Sequence, residues 1–110
     1  VQLLPVANIL GMLLLSRGQA LAAVAEFEKL LVESARLLGE DHLNHQVFRS
    51  NYAWCLSGAG RHLDALETMS ESLAALIEGL GGEHPRVAQV QSRLIQIKER
   101  ADRVADPSEI

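Results

Sequence analysis

At 110 residues the chain is large enough to bury a core without disulfides or a structural metal, and one domain is the default. Apolar residues make up 48% of it and aromatics only 4%, the excess lying in Leu, Ala, Val and Ile, which suits close helix packing and excludes a disordered chain. The net charge is −4 and the ten Lys and Arg residues are scattered from Arg17 to Arg103, so no basic stripe is present and no nucleic-acid partner is expected.

The opening run from Val1 to Leu15 is strongly apolar, yet it holds Gln2, Pro5, Asn8 and Gly11 and meets Arg17 well short of the roughly 20 residues a membrane span needs. It reads as a helix over about residues 3 to 16, covered by protein and not by lipid. A second helix is predicted over 19 to 38, because Ala23, Phe27, Leu30, Leu31 and Leu38 recur at spacings of three, four and seven. Gly39 supplies a left-handed stop for it, and Asp41 or Asn44 an N-cap for a third helix over about 43 to 58. Gly58 and Gly60 flank a tight turn. A fourth helix over 61 to 79 follows, with Leu63, Leu66, Met69, Leu73, Leu76 and Leu80 on its apolar side. Pro85 suits the first turn of a fifth helix, which runs to about Val104 and buries Val87, Val90, Leu94, Ile97 and Ala101. Residues 106–110 read as a flexible tail, leaving 1–105 as the domain.

The elements repeat. Leu38-Gly39-Glu40-Asp41-His42 returns as Leu80-Gly81-Gly82-Glu83-His84, and Gly18 returns as Gly60, at a separation of 42 residues. The same register pairs Leu21 with Leu63, Ala23 with Ala65, Phe27 with Met69 and Leu31 with Leu73. Each unit, about 3–42 and 43–84, therefore holds an A helix and a B helix, and the charged fifth helix closes the stack. The expected class is all-α: stacked antiparallel helical hairpins, two of them plus a C-terminal capping helix.

The stretch Gly60-Arg61-His62-Leu63-Asp64-Ala65-Leu66 resembles the turn of tetratricopeptide repeats. With Asn51-Tyr52-Ala53 before it and Leu80-Gly81-Gly82-Glu83-His84-Pro85 after it, the unit is similar to the longer, kinesin-light-chain-like subclass, over roughly residues 9 to 101. The first unit departs from that pattern at Ile9, Ala22 and Leu43, where Asn, Glu and Pro are the family's residues. The resemblance implies a TPR-like α-solenoid that binds a peptide or protein on its concave A-helix surface. Its inward-facing positions fall here on Asn8, Met12, Leu15, Ser50, Asn51, Trp54, Ser57, Ser92, Arg93 and Gln96. Trp54 is the expected anchor, since an accessible Trp among polar neighbours dominates many interfaces; the alternative is a Trp packed against a neighbouring helix.

Chemistry is not expected. His42 and His45 stand three apart beside Glu40 and Asp41, a spacing open to metal, but His42 and His84 recur at the repeat period, which points to hydrogen bonding at helix entry in both units. Ser50, Ser57, His45 and His62 lack a nucleophile turn or paired carboxylates, and Gly58-Ala59-Gly60 is too short for a phosphate loop. The lone Cys55 can form no internal bridge and reads as a buried inert thiol in a reducing cytoplasm. The expectation is therefore a cytoplasmic scaffold within a larger protein, not an enzyme, with no cofactor or metal and a protein or peptide partner. The alternative is a self-association module that dimerises or stacks through the apolar first helix, by Leu3, Leu4, Ile9, Leu10, Leu13 and Leu14.

Overall fold

A computed structural model describes residues 3–105. These form five helices, α1 (Leu3–Ser16), α2 (Ala20–Leu38), α3 (Leu43–Gly58), α4 (His62–Leu80) and α5 (Pro85–Ala105), with no strand among the described residues. Residues 106–110, expected to be a tail, lie outside the described residues. No described helix is long and apolar enough to cross a membrane.

Each helix packs on the next in sequence; α1 also touches α3, and α3 touches α5, whereas α2 and α4 do not meet. The molecule measures 47 × 31 × 19 Å. Its least dimension equals two helix diameters of about 10 Å, so the A helices α1, α3 and α5 form one layer and the B helices α2 and α4 the other.

The 42-residue period extends to single hydrogen bonds. Gly18 N–H donates to Leu15 O and Gly60 N–H to Ser57 O, both at 3.0 Å; Gln19 N–H to Leu14 O and Arg61 N–H to Leu56 O both measure 2.9 Å. The B helices end alike, on Gly39 (φ 90, ψ 150) and Gly81 (φ 87, ψ 154). The left-handed helical stop expected at Gly39 is thus corrected: φ is positive but ψ is extended, a region open in practice to glycine alone. The expected caps Asp41 and Asn44 are also corrected. The N-cap of α3 is His42, whose Nδ1 accepts from Asn44 N–H at 3.0 Å, and His84 Nδ1 accepts from Arg86 N–H at the same distance. Helix-entry hydrogen bonding by both histidines therefore holds.

The core runs between the layers through Ala23, Val24, Phe27, Leu30, Ala53, Leu56, Ala65, Met69 and Leu76. Small residues set the approach: a methyl built on Gly11 would lie 2.5 Å from Phe27 Cε2, so α1 sits against the ring because it offers no side chain there. Leu63, assigned above to the apolar side of its helix, is instead exposed, as is its counterpart Leu21, because each precedes the buried Ala65 or Ala23 by two residues and so lies on the opposite face of its helix. Nor is α1 fully covered: Leu4 and Gly11 are buried, but Leu3, Val6, Ile9, Leu10 and Leu13 face outward.

Between α2 and α3 the core admits one polar pair, Ser34 Oγ hydrogen-bonded to His45 Nδ1. Burial, with Arg49 next, holds the His45 pKa below its ordinary 6.5; Glu40 opposes this and His42 adds to it. Below pH 6.5 the unfolded chain takes up a proton that the folded chain accepts only at lower pH. The stability this site contributes is complete above that pH and is lost as pH falls through it, by at most about 1.4 kcal/mol per pH unit. Urea midpoints at pH 7.5 and 5.5 are expected to differ less in His45→Gln than in the parent protein; an equal difference would exonerate His45.

Candidate functional site

The A-helix layer carries the residues singled out above. Asn8 on α1, Asn51 on α3 and Arg93 on α5 stand about one repeat apart and join across the layer: Asn51 Nδ2 donates to Asn8 Oδ1 at 2.8 Å, and Arg93 Nη1 donates to Asn51 Oδ1 at 3.1 Å. One turn further along α3, Trp54 is half-buried beneath two guanidiniums of α5, Arg93 Cζ at 5.1 Å and Arg100 Cζ at 4.5 Å from its ring centroid. Such stacking attracts each cation to the ring face. Arg100 Nη1 also donates to Ser57 Oγ at 3.0 Å, and Ser57 Oγ meets His62 Nδ1 at 3.0 Å.

Burial divides the expected site residues. Ser50, Asn51 and Ser57 are buried, which corrects their expected place on an open surface. The reason is geometric: α3 is central, flanked by α1, α2, α4 and α5 together, so little of its circumference reaches solvent. Ser50 Oγ is turned back onto Val47 O at 2.7 Å. Asn51 spends its carbonyl and one amide hydrogen on the ladder, so it holds helices together and retains one N–H at most for a ligand. Asn8, Met12, Leu15, Trp54 and Arg93 are partly exposed, and Ser92 and Gln96 are exposed. The accessible edge therefore runs from Met12 past Trp54 to Gln96.

The charge on this edge is one-sided. Burial first, then Arg86, pushes the Arg93 pKa below its ordinary value, with Cys55 opposing. Among the described residues neither Arg93 nor Arg100 forms an ion pair with a carboxylate, in contrast to Arg36, Arg49 and Arg61. Sequence reasoning missed Arg100. The signal was there, because seven residues after Arg93 is two helical turns on the same face.

The chemistry-bearing residues are otherwise engaged. Cys55 is fully buried and burial pushes its thiol up to about 12, so no thiolate forms near neutrality. His42 and His45, considered above as metal ligands, each commit Nδ1 to helix entry or to Ser34, and no group of three metal-binding side chains stands among the described residues. Compared with models of known protein families the chain matches none. No curated protein matches it at a significant level.

Proposed function

We propose that the chain is a TPR-like interaction module, part of a larger cytoplasmic protein, that binds a peptide or protein segment across its A helices and acts as a scaffold, not an enzyme. One observation carries this reading: the A helices approach one another closely while α2 and α4 do not, which supports taking the A layer as the inner, tighter side of the stack. A stack curved that way offers its inner row to an extended segment. On that row lie the partly exposed Trp54 and the exposed polar side chains Ser92 and Gln96. The resemblance to tetratricopeptide repeats points to the same surface.

The test is selection of peptides from a random library on the purified protein, followed by titration read by Trp54 fluorescence, Trp54 being the sole tryptophan. Gln96→Ala lies on exposed surface and is expected to weaken binding without changing the fold. Trp54→Ala, followed by a labelled peptide, is expected to weaken it about tenfold or more. Unchanged affinity in both variants would reject the A-helix site.

A second reading, association through α1, is favoured by the outward-facing Leu3, Val6, Ile9, Leu10 and Leu13, a patch of the kind that marks interaction sites.

A further inference from the structure

The three A helices each carry a row of side chains at one spacing of three, four and three. On α1 these are Leu3, Val6, Leu10 and Leu13; on α3 they are His45, Phe48, Tyr52 and Cys55; on α5 they are Val87, Val90, Leu94 and Ile97, each set 42 residues after the last. On α5 the row is sealed, Val87, Val90 and Ile97 being 0%, 1% and 0% exposed. What seals it is the preceding B helix α4, as α2 precedes and covers α3. On α1 the row is open: Leu3 is 79% and Val6 60% exposed.

The end of the row repeats the contrast. Beside α3, the turn before it closes over the groove between the paired helices, with Gln46 Nε2 donating to Glu40 O at 2.8 Å and Glu40 and Asp41 forming one wall. The matching groove beside α1, walled by Leu3, Leu4, Ala7 and Leu30 and by the charged Glu26, Lys29, Glu33 and Arg36, has no such turn over it among the described residues. The rows differ in chemistry too. His45 at the head of the α3 row meets Ser34 of α2, whereas Val87 heads the α5 row and α4 carries Leu76 at the place of Ser34. Leu3 heads the α1 row, and α1 contains no charged residue, so its demand is that of α5.

We propose that the outward face of α1 docks the second helix of another helical hairpin, apolar in the manner of α4, with that hairpin's closing turn seated over Leu3 and Leu4. This rests on the reading that α1 associates, and names what it associates with. A second copy of the chain fits less well, because both of its B helices already pack between their own neighbours, α2 between α1 and α3 and α4 between α3 and α5.

The test extends the chain by a copy of residues 43–84 placed directly before Val1, which keeps the 42-residue register. The longer chain is expected to unfold in a single transition, at least about 5 °C above the 110-residue protein. Val6→Glu is expected to abolish that rise while leaving the 110-residue protein's midpoint nearly unchanged, since Val6 is exposed there. A separate transition at the original temperature, or an equal effect of Val6→Glu in both chains, overturns the proposal. Sedimentation of the 110-residue protein separates the two failures. A dimer lost in Val6→Glu upholds association through α1 but gives the face to a second copy, and a monomer at every concentration, with no stabilisation in the longer chain, rejects both.

Discussion

Phe27→Ala is expected to lower the stability of the protein by about 3–5 kcal/mol, the cost of emptying a fully buried aromatic site between two helices. The ring lies against Gly11, so the loss falls on the α1–α2 pair, whose close approach depends on it. The reverse change is also costly. Gly11→Ala places a methyl 2.5 Å from a rigid ring, and overpacking of about 1–3 kcal/mol outweighs the gain of roughly 0.8–1 kcal/mol that Ala brings to a helix. The second unit shows the compensated form, because Ala53 and Met69 occupy the places of Gly11 and Phe27: one methyl more on the A helix, a thinner and more flexible side chain on the B helix. The double variant Gly11→Ala/Phe27→Met should therefore be more stable than the sum of its parts, by on the order of 1 kcal/mol in urea unfolding. Strict additivity would mean that the two positions do not share a site.

Gly39→Ala and Gly81→Ala are each expected to cost about 1–3 kcal/mol, because φ near 90 with ψ near 150 is closed to a residue bearing Cβ. No crowding is involved, since nothing lies within 4 Å of a Cβ at either position. The penalty is purely one of backbone conformation and should be alike at both sites, adding in the double variant. Gly82→Ala is the control: its surroundings are equally open and its φ is not positive, so thermal unfolding should scarcely move. A large loss at Gly82, or none at Gly39 and Gly81, would reject this backbone conformation, and unequal losses at Gly39 and Gly81 would show that the two B helices do not end in the same way.

The repeat was legible because turn and core residues kept one phase: Gly18 with Gly60, Leu38-Gly39 with Leu80-Gly81, His42 with His84. All five helices fall within two residues of the bounds read from periodicity and breakers. What escaped was set by features that residue type does not encode. A glycine signals positive φ but leaves ψ open, which is why Gly39 looked like an ordinary left-handed stop. Histidine stands outside the usual N-cap residues, so Asp41 and Asn44 drew attention from the ring nitrogen that caps α3. Burial on the A layer escaped for a different reason. Ser50 and Ser57 look like surface residues in sequence and are buried because α3 has neighbours on almost every side, a consequence of helix arrangement. The partial cover over Trp54 comes from Arg93 and Arg100, of which sequence reasoning weighed only the first.

Paired helices are laid down twice in one phase, with the A helices side by side. Proton–proton contacts measured in solution by nuclear magnetic resonance test it most directly. Expected are contacts from the Asn8 to the Asn51 side-chain amide and from the Trp54 indole to Arg93 and Arg100, with no backbone-to-backbone contact between α2 and α4. Backbone contacts joining α2 to α4, or an indole without any neighbour on α5, would overturn that arrangement.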